Sequence, residues 1–365
     1  MIRREDGKIG IFILIFVVLI VLIAAGVFIW YESSLNAVEK DSDKSSKVTI
    51  VIEDGMGISG IADKLKKDGL IRNATAFMAY CKLKNKTQLM AGKYELDKTM
   101  SVAQIVSELE KGNVVNDSVT ITFIEGKNMR WIAKTIADKT NNSEDDVYKL
   151  LSDEDYLKSL IKEYWFITDD ILNDEIYYSL EGYLYPDTYT FENADVSVKT
   201  IFKSMLDVMD SQLSQYRNEI NNSKYDLHEL LSLASVVELE ALNEADRAMV
   251  AGVFYNRLRK NMALQSDVTT YYAVQADMGD RDLTNSDLNA KNAYNTRGSN
   301  MSGKLPVGPI CMVSVSSIRA VVEPDSSSYL FFVADKNGKV YYSKTNTEHE
   351  ELIRELKSKG LWFSY

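Results

Sequence analysis

The chain is poor in the residues from which disulfide scaffolds and metal centres are built. It has two cysteines, Cys81 and Cys311, far apart and without a CxxC pair, which excludes a disulfide framework and a thiolate metal signature. It has two histidines, His228 and His349, too few and too separated for a histidine metal site without carboxylate help. No metal and no organic cofactor are expected. Long basic runs are missing as well, and 42 basic against 53 acidic residues leave a net charge of −11, so nucleic acid is excluded as a partner. At 365 residues the chain has room for a membrane anchor and about two domains.

What is present begins with Ile9 to Trp30, a stretch without a charged side chain and rich in Ile, Leu, Val and Phe. As a helix it is long enough to cross a hydrocarbon core of about 30 Å. Arg3, Arg4 and Lys8 precede it, and after Trp30-Tyr31-Glu32 no basic residue comes before Lys40. The positive-inside rule then puts the N-terminus in the cytoplasm, with the aromatic pair at the outer interface. Ala24-Ala25-Gly26 offers small residues for a signal-peptide cleavage, but the apolar run continues through Val27, Phe28 and Ile29, which favours an anchor. Residues 31–47 are polar after the aromatic pair and without apolar periodicity, the texture of a flexible linker.

At Val48 the texture changes. A strand at 48–52, helices at 58–69 and 74–83, a strand near Gly92 to Glu95 and a helix with Val102, Ile105, Val106 and Leu109 on one face make a small α+β module over 48–115. A second α+β domain with a helical core is expected over 116–365. It opens with a strand at Val119 and a helix with Met129, Ile132, Ala133 and Ile136 on one face, and a long amphipathic helix is expected over about 196–219. Glu181-Gly-Tyr-Leu-Tyr-Pro-Asp-Thr-Tyr189 clusters tyrosines around a proline turn. Such rings stack on sugar faces, and they are equally ordinary core material.

The chemistry concentrates between Leu230 and Asp267. On a helix, Leu230, Leu233, Ala234, Val237 and Ala241 form one apolar stripe, and the two carboxylates Glu238 and Glu240 flank it. A carboxylate pressed among apolar neighbours is a candidate acid, because desolvation disfavours its charged form. At about 100° per residue the two lie about 200° apart and cannot both point into one cleft. Periodicity does not choose between them. A second helix from Asp246-Arg247 has Val250, Phe254 and Leu258 on one face and Tyr255-Asn256-Arg257 elsewhere, and is followed by the polar turn Gln265-Ser266-Asp267. Towards the C-terminus, Tyr329–Val333 and Val340–Ser343 are expected to form a hairpin with an Asn337-Gly338 turn of the I′ kind.

In their order ASVVELEA, VAGVFYNRL and LQSD, with EGYLYPDTY (181–189), AGKY (91–94), AYNT (293–296) and YLFFVADKNGKVYYSKTNTEH (329–349), these segments resemble the endolytic murein transglycosylase family, the YceG-like proteins. The resemblance covers nearly the whole chain beyond the anchor. It implies a LysM-like identity for the 48–115 module and a peptidoglycan substrate, the β-1,4 bond between N-acetylmuramic acid and N-acetylglucosamine within glycan strands. It also implies a role in wall assembly outside the cell membrane, with wall synthases as expected partners. The second glutamate of the family's E-x-E falls on Glu240, which becomes the acid and then the base, while Glu238 becomes a supporting or structural carboxylate, counted with the substrate-binding residues. Gln265, Ser266 and Asp267 are expected to meet the sugar, and Tyr294, Asn295 and Thr296 to line the opposite wall, although Asn295 reads equally well as a turn residue. His349 matches a family position and reads as structural near a helix start. The chain departs from the family at Val268, Ala293, Lys304, Val307 and Met312-Val313-Ser314, and it carries added sequence from Arg297 to Lys304. The rival readings are a silent peptidoglycan-binding scaffold and a hydrolytic muramidase.

Overall fold

The computed structural model describes residues 6–40, 46–112 and 117–362. Arg3 and Arg4, the middle of the expected linker and the expected domain border at 115/116 lie outside them. The chain divides into two compact units, residues 1–117 and 118–365.

In the first unit, α1 (Asp6–Leu35) contains a span, Ile11–Leu35, long and apolar enough to cross a membrane. The other elements are β1 (Lys47–Ile52), α2 (Ile58–Lys67), α3 (Ala74–Leu83), β2 (Gly92–Asp97) and α4 (Val102–Lys111). β1 and β2 pair antiparallel, with Ile50 opposite Tyr94. Strand alternation turns Ile50, Ile52, Tyr94 and Leu96 inward onto Ile61, Leu65, Phe77 and Leu109. Cys81 is buried in this core as a free thiol. The linker is shorter than its composition implies. The helix runs on through Leu35, the Arg72 guanidinium donates to the Ala37 carbonyl at 2.9 and 2.6 Å, and Glu39 N donates to Lys98 O at 3.0 Å. Such long-range capture of backbone carbonyls leaves no trace in local periodicity.

The second unit holds β3 (Val119–Thr122), α5 (Met129–Lys139), α6 (Glu144–Leu151), α7 (Glu154–Glu163), β4 (Thr188–Phe191), α8 (Val198–Ser214), α9 (Arg217–Asn222), α10 (Leu227–Glu240), α11 (Glu244–Arg259), α12 (Asp267–Ala273), α13 (Asn285–Leu288), α14 (Val315–Val322), β5 (Phe331–Ala334), β6 (Val340–Ser343) and α15 (Asn346–Ser358). Helices dominate, and β3–β4 and β5–β6 form two antiparallel pairs. The long helix expected over 196–219 is broken between α8 and α9. In the β5–β6 hairpin only Gly338 has positive φ (+81°), whereas a I′ turn needs two such residues. The loop is instead a wider turn in which Asp335 accepts from Asn337 N and Lys339 N through its side chain.

α10 forms the centre of this unit. Asp226 and Glu229 close a capping box at its start, and α11, α12 and α14 pack around it. Residues Leu230 to Glu238 are buried without interruption, so over this stretch the helix has no solvent face and the expected single stripe is too narrow a description. Ser232 and Ser235 are accommodated because their hydroxyls donate to the carbonyls of His228 and Ser232 at 2.7 and 2.8 Å. α11 is similar: Tyr255, Asn256 and Arg257, expected on a polar face, are buried. The tyrosine-rich segment is also core. Tyr183 is 1% exposed, and its hydroxyl pairs with His228 Nδ1 at 2.7 Å.

Candidate active site

Three glutamates sit within or against this core, and their surroundings separate them. Glu181 is 1% exposed, and its Oε2 accepts from Met129 N and the Tyr272 hydroxyl, each at 2.9 Å. Burial pushes its carboxyl up to about 7, but no substrate can reach it. Glu238 is saturated. Arg247 Nη2 donates to its Oε1 at 2.8 Å, while Ser314 N and Oγ donate to its Oε2 at 2.9 and 2.6 Å. Both side chains of the ion pair are almost fully buried. The expectation that Glu238 binds substrate is therefore corrected: it ties α10 to α11 and to the start of α14, and it presents nothing to a ligand. Ser314, one of the departures from the family's pattern, is half of that anchorage.

Glu240 alone of the three opens into a cleft. It is the last residue of α10, partly exposed, and lines a cavity of about 380 Å³ with Gln265, Ser266, Asp267, Arg257, Arg297 and His349. The 200° separation operates as the helix geometry requires, with Glu238 turned towards α14 and Glu240 towards α12. Burial raises the Glu240 carboxyl above its ordinary range, a hydrogen bond from Ser266 opposes this, Asp267 adds to it, and Arg297 opposes it. Ser266 stands at the N-cap of α12, where a serine hydroxyl ordinarily accepts from the helix's first amides. Here the hydroxyl donates to Glu240 Oε1 at 2.6 Å and makes no capping bond.

The turn that supplies Ser266 is held from several sides. Gln265 adopts a left-handed backbone (φ +55°), uncommon for a residue with a Cβ. Its N–H donates to Thr296 O at 3.2 Å, and its side-chain oxygen accepts from Arg257 Nη2 at 2.6 Å. Because the guanidinium only donates, this contact uses the Gln265 oxygen and not its amide nitrogen, and the residue lines the cleft. Arg257 also donates to Ala263 O and Leu330 O, each at 2.9 Å, and lies over the Phe331 ring. Asp267, in the first turn of α12 where a carboxylate suits the helix dipole, pairs with Arg297.

The structure thus brings Glu240, Gln265, Ser266 and Asp267 together, and it corrects the opposite wall. Tyr294, Asn295 and Thr296 are all fully buried. Tyr294 accepts from Tyr177 N at 3.3 Å and packs edge-on against Tyr272. Asn295 accepts from Thr270 Oγ1 at 2.8 Å and donates to the carbonyls of Asp287, Leu288 and Ala290. Thr296 Oγ1 accepts from Ser266 N at 3.1 Å. These residues brace α12 and the 265–267 turn from behind. The wall itself comes from β5 and α15, through Leu330, Phe331, Phe332, Asn346 and His349. The His349 ring stacks on Phe331 with centroids 5.3 Å apart, and burial, aided by Arg257, lowers its pKa. Arg257, Arg297, Asn346 and His349 lie in segments legible as YNRL, the added sequence and TNTEH, but their convergence on Glu240 could not be read from spacing.

These contacts predict opposite pH effects. Ser266→Ala removes a donor that favours the charged carboxylate, so the Glu240 pKa rises further and the basic limb of kcat/KM should move to higher pH. Asp267→Asn removes a neighbouring negative charge and releases Arg297, so that limb should move to lower pH. pH–rate profiles check both, and limbs that coincide with the wild type in both variants would exclude Glu240 as the titrating acid.

The second unit is a helical α+β domain whose open polar cleft presents the Glu240 carboxylate beside the Asp267–Arg297 pair. The match of residues 50–355 identifies the chain as a member of the YceG-like family. It is 40% identical over 331 residues to the endolytic murein transglycosylase of Bacillus subtilis, covering 90% of each chain. It is 31% identical over 361 residues to that of Streptococcus pneumoniae D39, covering 94% of this chain and 65% of the relative. A crystal structure of a yceG-like protein from Listeria monocytogenes aligns with a TM-score of 0.60 at 39% identity, over 85% of this chain and all of the other.

Proposed function

We propose that the protein is a membrane-anchored lytic transglycosylase that cuts the β-1,4 bond between N-acetylmuramic acid and N-acetylglucosamine inside peptidoglycan strands. The observation that carries the proposal is Glu240, the one carboxylate among Glu181, Glu238 and Glu240 that is both desolvated and open to a cleft. With its pKa raised by burial, it is the carboxyl best suited to give a proton to the leaving O4 as the C1–O4 bond breaks. The carboxylate so formed then takes the proton of the muramyl C6 hydroxyl as O6 closes onto C1. The products are a 1,6-anhydro end and a free O4 hydroxyl; one residue gives and regains one proton, and no water is consumed. In this proposal Ser266 stabilises the carboxylate stage of the cycle, and the Gln265 amide and Asp267 bind sugar hydroxyl and acetamido groups. A hydrolase generally requires a second carboxylate free to handle water or a covalent intermediate, whereas Asp267 is engaged by Arg297.

The apolar span of α1 supports anchoring with the N-terminus inside and the second unit outside the membrane. The β1–α2–α3–β2 order supports the LysM-like reading of the module over 48–115. Incubating the detergent-solubilised full chain with purified peptidoglycan and weighing the fragments tests the reaction. Anhydro ends, one water lighter than reducing ends, are expected. Reducing ends would replace the proposal with a muramidase, and no fragments would replace it with a binding scaffold.

A further inference from the structure

A second cavity, of about 180 Å³, lies beside the Glu240 cleft and shares Val268 with it. Leu239, the residue before the candidate acid, lines this second cavity while Glu240 lines the first. The two cavities therefore meet at Val268 and flank the C-terminal end of α10. The floor of the second is apolar, from Leu239, Val268 and Ile310. Its rim carries two partly exposed aromatic rings, Trp131 from α5 and Tyr271 from α12, with Met278 beyond them.

The site is rigid. Gly126 N donates to Met312 O and Met312 N donates to Lys127 O, each at 2.9 Å, which clamps the loop before α5 onto the 310–312 segment. Gly126 takes φ +74°, and a Cβ there would meet Leu239 Cδ2 at 3.2 Å, so the loop lies close over the floor. Asp277 accepts from Arg130 Nη2 at 2.6 Å and from Asn128 Nδ2 at 3.2 Å, closing one edge. The Tyr271 hydroxyl donates to Arg281 O at 3.0 Å, which orients its ring. Val268 and Tyr271 are three residues apart and share one face of α12.

We propose that this cavity is a saccharide subsite that holds a sugar of the same glycan strand one step away from the bond at Glu240. The inference rests on the glycan-cleaving reading above. An enzyme that cuts within a strand holds sugars on both sides of the scissile bond, so a cavity next to the one at Glu240 is where a further sugar would sit. The chemistry at the second cavity suits a pyranose, with aromatic faces for its C–H face, apolar contact for an N-acetyl methyl group, and Asn128 and Lys127 at the rim for hydroxyl groups.

The test uses the full chain in detergent, disabled as Glu240→Gln, and measures binding of N-acetylglucosamine oligomers of two and six units by calorimetry. The hexamer is expected to bind more tightly than the dimer. Adding Tyr271→Ala should weaken the hexamer by roughly tenfold, the scale of an aromatic contact with its buried area, and leave the dimer unchanged. Tyr271→Phe, which keeps the ring and loses the bond to Arg281, should restore hexamer binding and so separates stacking from folding. Equal hexamer affinity with and without Tyr271→Ala, in Glu240→Gln proteins that bind the hexamer, would overturn the subsite and leave the cleavage proposal standing. Failure of the Glu240→Gln protein to bind the hexamer, together with no fragments from the unaltered chain, would remove both.

Discussion

Glu240→Gln is expected to lower the release of anhydro ends by roughly 10²- to 10⁴-fold, the range that a positioned general acid–base contributes. The amide keeps the shape of the side chain, and its oxygen still accepts from the Ser266 hydroxyl, so folding is preserved. What is lost is the proton for the leaving O4 and the base for the C6 hydroxyl. Both roles fall on the same carboxyl group, so one substitution removes both. Of the other titratable groups in the cleft, Asp267 is paired with Arg297 and His349 is stacked on the Phe331 ring. Mass spectrometry of fragments from equal amounts of folded protein checks this, and undiminished release by the variant would refute the assignment of Glu240.

The second large effect is on stability, and it falls two residues away. Glu238→Ala is expected to destabilise the second unit by about 3–5 kcal/mol, because it leaves the Arg247 guanidinium buried without its counter-charge. For a domain of this size that corresponds to a fall of roughly 6–20 °C in melting temperature. Ser314 N and Oγ would lose their acceptor in the same step, loosening the start of α14. Thermal unfolding followed by circular dichroism reads the loss. Replacing both partners together, as Glu238→Met with Arg247→Leu, should recover part of it, since an apolar pair removes the orphaned charge. A melting temperature unchanged in Glu238→Ala would show that the buried pair does not hold α10 to α14.

The two predictions divide the E-x-E segment into a reactive and a structural half. Glu240 ends its helix where the chain leaves the core, so its carboxylate is desolvated by the helix packing and still reaches solvent. Glu238 is half a turn back, inside the packing, where a carboxylate persists only if every lone pair is used. Exchanging their roles would require turning α10 about its axis, which the packing of α11, α12 and α14 forbids.

A good part of this molecule was legible in its sequence. The apolar stretch before Trp30, the order of elements in the 48–115 module and the bounds of α3 follow from periodicity and turn chemistry, which are local properties. So does the divergence of Glu238 and Glu240, because helix geometry alone sets their angle. The family likeness rests on ordered motifs and holds over residues 50–355. Only the tertiary structure decided what those motifs do. Tyr183 and the AYNT residues proved to be core and bracing, since a buried polar group and a sugar-binding one have the same composition and differ only in what packs on them. Ser266, expected in a polar turn that meets the sugar, stands at the start of α12 and donates to Glu240. Arg257, Arg297 and His349 come to the cleft from three distant segments, and long-range convergence of that kind is fixed by how α11, α12 and α15 pack, which no local pattern encodes.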